Sequence, residues 1–407
     1  MISYFEAVRL VLANTSTFGS EVVALHDSGG RVLARDIASP LDMPIFTNSK
    51  VDGYAIRFHE TNRDRKKFRL MGSIPAGESQ QKSLEKGEAI RVFTGSSLPE
   101  GVDAVVMQEE TIARDIEIEV TCDIAEMENI RSEGSEFRKG EIILKASTLV
   151  TPSVLSLIAT VGISEVEVFK KPRAFVIGTG NELVSPGEQL KQGQIYDSNA
   201  LVLANAVALA GALVVGVHQV GDDPVALRAV LEEALDSSDV ILTAGGVSVG
   251  EHDHVRKVAS DLGVKEVFWQ VAMKPGKPLY FGLGPNGQKV FGLPGNPVSA
   301  LVTYLAVLKP AFRRMAGVFH IEYCVNAILG VPALIRSEKG RAEFVRAVNK
   351  GHQMGRDYVH LHALKAQGSN MASGLAGADY LIFVPEDVEE IQAGEKVTAC
   401  KIRWGLS

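Results

Sequence analysis

The sequence predicts a multidomain α/β protein. A central doubly wound α/β domain lies between β-rich N-terminal segments and a C-terminal β barrel or sandwich. Three observations carry this reading. Between about 172 and 310, uncharged apolar runs alternate with helical patterns, as strands buried on both faces of a parallel sheet require. On either side the texture changes to short alternating runs broken by Gly and Pro. A chain of 407 residues holds two to four domains at roughly 150 residues each.

The elements follow in order. Ser3 and Glu6 have capping-box spacing, and Glu6 and Arg9 interrupt the apolar run, so the first residues read as a short amphipathic helix and not a leader. Residues 51–56, 89–93, 104–108 and 116–120 read as short strands. Pro75-Ala76-Gly77, Lys86-Gly87 and Pro99-Glu100-Gly101 supply the turns between them. Residues 151–161 read as a helix begun by Pro152 and closed by Gly162. In the middle segment, strands are expected at 173–177, 213–220, 240–243 and 290–293. The helices between them are one capped by Ser198, one begun by Asp223-Pro224, one over 252–262 and one running to Leu308, with Pro310 as terminator. Strands at 345–348, 358–361, 380–384 and 396–402 make an all-β tail.

Composition narrows the function. Lys and Arg number 42 against 49 Asp and Glu, a net charge of −7 with no basic block. Bulk nucleic-acid binding is therefore excluded, and any anion must be handled by a few placed cations. No uncharged apolar run approaches about 18 residues, so no membrane span is expected and the chain reads as cytoplasmic. Cys122, Cys324 and Cys400 are far apart, odd in number and form no CxxC, which reads as reduced structural thiols.

Ligands of an open α/β sheet bind beyond the carboxyl ends of its strands. Those ends carry Gly178-Thr179-Gly180-Asn181-Glu182, Gly221-Asp222-Asp223, Gly245-Gly246-Val247-Ser248 with Asp253 beyond it, and Pro294-Gly295-Asn296-Pro297-Val298-Ser299. Glycines let backbone N–H groups turn towards an anion, and Glu182, Asp222 and Asp253 are the hard oxygen donors that Mg²⁺ takes beside phosphates. Each loop alone equally fits a tight turn; four at one edge point to a phosphate site with a metal. Lys274 and Lys277, framed by Pro275, Gly276 and Pro278, add two cations suited to an oxyanion. His252-x-His254 and His360-x-His362 lack cysteines or a third spaced histidine, so zinc is not expected. There is no GxSxG or HExxH.

Asn48-Ser49-Lys50-Val51-Asp52-Gly53-Tyr54-Ala55 resembles the "NSAMDGYA" signature of the MoeA family. So do Phe93-Thr94-Gly95, the 178–182 loop, Gly245–Gly250, Lys274–Pro278 and Gly292–Ser299, in the family's order across essentially the whole chain. These are molybdopterin molybdenumtransferases, related to the gephyrin E domain. The resemblance implies four domains: 21–46 with 140–171, 47–139, 1–20 with 172–320 as a MogA-like molybdopterin-binding domain, and 321–407. It also implies a homodimer with active sites between protomers. The implied reaction takes adenylyl-molybdopterin and molybdate with Mg²⁺ and yields molybdenum cofactor and AMP. The adenylyltransferase and apo-molybdoenzymes are the implied partners, with no nucleic acid and no membrane.

Carried over residue by residue, the resemblance makes Asp52, Thr94, Glu182, Asp222 and Asp253 catalytic, with Glu182 and Asp222 on the metal. It places Gly178, Thr179, Gly245, Gly246, Ser248, Pro294, Gly295 and Asn296 around molybdopterin. Lys274, Lys277, Ser299, Arg346 and Ser369 fall on molybdate. Lys50, Gln270, His252 and His254 depart from the family pattern. No side chain resembles a covalent nucleophile, so positioning and metal-assisted displacement are expected, with Asp52 or Asp253 as proton acceptor. Two other readings stand beside this one: an adenylyltransferase, and a non-catalytic gephyrin-like scaffold.

Overall fold

The computed structural model describes residues 1–57, 66–78, 83–247, 254–319, 324–330, 334–349, 359–402 and 404–405. The chain divides into two compact units, one of residues 1–35, 147–155 and 165–407, the other of 36–146 and 156–164.

The first unit contains a six-stranded sheet in the order Leu213–Val220, Arg173–Thr179, Val240–Ala244, Lys289–Leu293, Tyr280–Leu283, Lys265–Trp269. The first four strands are parallel; Tyr280–Leu283 runs antiparallel to Lys289–Leu293, and Lys265–Trp269 antiparallel to it in turn. Helices cover both faces. On one, Ala7 and Val11 of Tyr4–Ala13 and Leu203 and Val207 of Asn199–Leu209 pack on Val176, Leu242 and Phe291. On the other, Leu227 and Leu231 of Pro224–Ser237 and Val255 and Val258 of Val255–Asp261 pack on Phe175 and Ile177. Alternate residues of one strand thus serve opposite cores, which is why its sequence is an unbroken apolar run.

Helix starts follow local chemistry. Ser3 Oγ accepts the Glu6 N–H at 3.2 Å and Asp223 Oδ1 accepts that of Val225 at 3.0 Å, with Pro224 in the first turn. Ser198 makes no side-chain cap; Asp197 Oδ1 instead accepts the Ala200 N–H at 3.1 Å. Pro310 does not end the helical segment either. Pro297–Thr303 passes through a π turn, Tyr304–Leu308, into Lys309–Met315; Pro310 lies just past that turn, and the Ala306 carbonyl four residues before it accepts the Tyr4 hydroxyl at 3.1 Å instead.

The C-terminal strands close into a barrel. Ala342–Asn349, Val359–Ala363, Cys324–Leu329, Lys396–Lys401 and Tyr380–Val384 follow in order, and the last pairs back to the first. Val271–Lys274 extends this sheet by pairing Met273 and Lys274 with Ala342 and Glu343. Gln270, at φ +67°, is where the chain leaves the α/β sheet for the barrel sheet. The expectation of three reduced thiols fails at Cys400, which is disulfide-bonded; its cross-strand register partner is Cys324, an alignment invisible in the sequence spacing. Cys122 is a free thiol.

The second unit is built on a six-stranded sheet, Ala104–Met107, Gly53–Ile56, Glu88–Val92, Lys67–Ile74, Glu117–Val120, Thr111–Arg114. Both faces are covered: Tyr54, Ile56, Val106 and Ile118 fill one core, Ala55, Ile90, Val92 and Val105 the other.

Candidate active site

The four loops expected at the carboxyl edge of the α/β sheet do converge there. Gly180 N–H donates to Val220 O at 3.1 Å and Gly245 N–H to Leu293 O at 3.0 Å, tying neighbouring strand ends together. Thr179 Oγ1 donates to Ala244 O at 3.3 Å. Gly245 has φ +98°, and a Cβ there would stand 2.7 Å from Thr179 O, so only glycine brings the two loops this close. Asn199 Nδ2 donates to Gly295 O at 2.6 Å, drawing the fourth loop in.

The acidic residues are held at the same edge. Asn181 N–H donates to Asp222 Oδ2 at 3.3 Å, and Asp222 N–H returns a bond to Asn181 Oδ1 at 3.0 Å. Glu182 is next in sequence, and its exposed carboxylate folds back over Gly180. Glu182 and Asp222 therefore sit on adjacent loops. Asp197 is a further carboxylate at this edge, 6% exposed and packed on Gly178. Ser248 and Asp253, with His252, lie outside the described residues; His254 is described and lies just before the helix Val255–Asp261.

The cations separate into three situations. Lys274 Nζ lies 3.2 Å from Oε1 of Glu343, its register partner on the next strand, so its charge is already shared. Lys277 is exposed, and its backbone carbonyl accepts N–H bonds from Val271 and Leu279, both 3.0 Å, which fixes the turn. Arg346 is 1% exposed, and its guanidinium donates to Gly368 O at 3.3 and 3.2 Å and to Gln367 Oε1 at 3.4 Å, all neutral acceptors. Burial pulls its pKa below the ordinary arginine value. Ser369 follows Gly368; its carbonyl accepts the Val298 N–H at 3.2 Å and its Oγ accepts from Asn296 Nδ2 at 3.3 Å. The barrel turn carrying Ser369 is thus joined to the Pro294–Ser299 loop, and Ser299 is buried just inside the helix that follows.

Asp52 and Thr94 belong to the second unit and meet each other. Gly53 pairs with Val92, so the residues flanking those strands abut. Asp52 Oδ1 accepts both the Thr94 N–H at 2.7 Å and the Thr94 hydroxyl at 2.8 Å. These two bonds, the backbone one first, hold the Asp52 carboxyl below the usual aspartate range. Gly53 is obligatory: a Cβ there would overlap Val106 O.

Sequence reasoning missed Asn181, Asp197, Asn199, Glu343 and Gln367. The Tyr196-Asp197-Ser198-Asn199 run ahead of a helix was a usable signal. Glu343 and Gln367 act through register and turn geometry, which leave no mark on spacing.

Comparison with known proteins agrees with this architecture. Residues 2–162 match the MoeA N-terminal region (domain I and II), 175–314 the probable molybdopterin binding domain, and 330–402 the MoeA C-terminal region (domain IV). The chain is 32% identical over 383 residues to the molybdopterin molybdenumtransferase of Haemophilus influenzae, covering 93% of each. It is 35% identical over 397 residues to molybdopterin molybdenumtransferase 2 of Mycobacterium tuberculosis, covering 95% of each. The solved MoeA protein of Pyrococcus horikoshii superposes with a TM-score of 0.83 at 30% identity, over 99% of this chain and 100% of that one. The fold, the order of its parts and this similarity over nearly the full length place the chain in the MoeA family of molybdopterin molybdenumtransferases.

Proposed function

We propose that the chain cleaves adenylyl-molybdopterin and transfers molybdenum from molybdate to the molybdopterin dithiolene, releasing AMP, with Mg²⁺ as cofactor. The observation that carries this is Arg346, a desolvated guanidinium whose partners among the described residues are neutral, joined through the Gly368–Ser369 turn to the loop at the sheet's carboxyl edge. A buried cation without a counter-charge is costly on its own and is compensated by an anionic ligand.

The parts divide the work. Gly178, Thr179, Gly245, Gly246 and the Pro294–Asn296 loop present backbone to the pterin and phosphate groups, with Ser248 assigned there by family likeness. Lys277, Arg346, Ser299 and Ser369 receive the oxyanion; Lys274, tethered to Glu343, adds a partly compensated charge. The donor set at Glu182 and Asp222 fits Mg²⁺, which is commonly held by one or two carboxylates plus substrate phosphates. When bound, Mg²⁺ supplies Lewis-acid polarisation of the phosphate bridge. Asp52, already ionised and below its ordinary pKa, is a weak base at neutral pH, so its role is to orient the Thr94 hydroxyl. Asp253 is left as the proton acceptor.

We further propose a homodimer in which Asp52 and Thr94 of one protomer complete the site of the other. Its support is an apolar face on Asn199–Leu209 and the outermost strand beside it, where Leu201, Leu209 and Leu213 are exposed. The substrate is supplied by a nucleotidyl-transfer enzyme, and the product passes to apo-molybdoenzymes. No helix among the described residues is long and apolar enough to cross a membrane. The test is AMP release from adenylyl-molybdopterin with Mg²⁺, followed with and without molybdate, and activation of an apo-molybdoenzyme. Molybdate-dependent release supports the reading; release without molybdate, or none, removes it.

A further inference from the structure

One side chain holds the turn that carries Ser369. The carboxamide of Gln367 makes four half-buried hydrogen bonds to the C-terminal strands and their turn. Oε1 accepts from Arg346 N–H at 3.1 Å and from Arg346 Nε at 3.4 Å. Nε2 donates to Arg346 O and to Leu364 O, both at 2.8 Å. Two acceptor sites and two donor hydrogens are the full capacity of a glutamine amide, so it is saturated. It grips both backbone polar groups of Arg346 as the peptide unit of a neighbouring strand would. The guanidinium then closes over Gly368 O, and Ser369 leads on to Asn296 and Val298.

We propose that Gln367 is a positioning residue for oxyanion capture, fixing Arg346 and the Gly368–Ser369 turn while leaving the guanidinium's charge uncompensated. This rests on the reading of Arg346 as an oxyanion contact. Neutrality is the essential property. A glutamate at this position has the same shape but only accepts hydrogen bonds. It would face the carbonyls of Arg346 and Leu364 with oxygen and would pair with the guanidinium, cancelling the charge offered to the ligand. A methionine is similar in length, makes none of the four bonds and adds no charge.

The experiment titrates the intact chain with sodium molybdate and, separately, with AMP, in Gln367→Glu, Gln367→Met and Arg346→Met. Molybdate KM and kcat for AMP release are measured alongside. Gln367→Glu should raise molybdate Kd and KM on the order of tenfold or more, and beyond Gln367→Met, with kcat at saturating molybdate and AMP affinity retained. Equal effects of the two Gln367 variants, or a parallel loss of AMP affinity, would mark a purely structural role and overturn the proposal. If Arg346→Met loses molybdate while both Gln367 variants keep it, the proposal fails and the reading of the site stands. If Arg346→Met binds molybdate normally, the reading of the site fails and takes the proposal with it. Should Gln367→Glu not fold, Gln367→Met decides: molybdate Kd raised about threefold or more with AMP affinity retained supports the role, and an unchanged Kd overturns it.

Discussion

Asp52 owes its low pKa to Thr94, which donates to it from both backbone and hydroxyl. In Thr94→Val the hydroxyl bond goes and the N–H bond stays, so the carboxyl should move part of the way back up towards the ordinary aspartate range. Because the folded pKa is depressed, the stability linked to ionised Asp52 is present above its unfolded pKa. It is lost as pH falls through the folded value. Thr94→Val, with its folded pKa nearer the unfolded one, therefore has less of this stability to lose and completes the loss at higher pH. Carboxyl-carbon NMR titration of the two proteins reads the shift directly, and an unmoved pKa would contradict this origin. Both residues were legible as motif members, and strand pairing explains why positions 42 apart meet. What the sequence could not show was their shared hydrogen bonds or the counter-charge on Lys274, because both depend on register. Lys274 and Lys277 look equivalent in sequence, yet among the described residues only Lys274 is paired to a carboxylate. Lys277→Ala should therefore weaken molybdate capture the more, by roughly tenfold in KM, the size expected for one charge-assisted contact. A smaller effect than that of Lys274→Ala would reverse the ranking. Glu182→Gln should abolish adenylate cleavage while substrate binding persists; unchanged cleavage would remove Glu182 from the metal assignment.

At the scale of elements, the turn 274–278 is shaped by Gly276, which has φ +115° and leaves no room for a Cβ beside Thr303 Oγ1 and Met273. Gly276→Ala should cost about 1–3 kcal/mol from backbone strain and overlap, read as a lower thermal midpoint, and should also loosen the Lys277 turn. A wild-type midpoint would show that the turn relaxes freely. The elements legible in the sequence were those with strong periodicity or punctuation: the parallel strands with their uncharged runs, and the helix begun by Asp223-Pro224. Lys265–Trp269 and Val271–Lys274 were not, since one residue, Gln270 at positive φ, separates two strands of different sheets without any Gly or Pro to announce it. At Ser198 the boundary falls where the sequence puts it, but the capping bond comes from its neighbour Asp197; at Pro310 the helical segment runs on to Met315. At the candidate site, the glycine loops could be read because each must bend at a strand end. The bonds Asn181 makes to Asp222, and those Gln367 makes to a neighbouring strand, leave no mark on sequence spacing.

At the scale of the whole molecule, Asn199–Leu209 carries apolar residues on every face, interrupted by Asn205 alone after its first residue, a composition that belongs to a helix covered on most sides. Leu201 and Leu209 are nonetheless 54% and 56% exposed, and Leu213 and Val217 on the outermost strand 53% and 48%. A second copy applied through a two-fold axis would cover this face with itself. Leu209→Glu combined with Leu213→Glu places like charges on both sides of such an interface, and the protein should sediment as a monomer at micromolar concentration. A dimer that persists would move the interface elsewhere. If the second unit of each protomer also serves its partner's site, two inactive proteins should rescue one another. Asp52→Ala spoils the residue donated and Glu182→Gln the residue receiving. Mixed and re-equilibrated in equal amounts, half of the dimers pair one of each, and every such dimer has one intact site. Activity should then return to about a quarter of wild type. A site made wholly within one protomer would leave the mixture inactive, and the same null result in the presence of the two Glu substitutions is the control that recovery requires the interface.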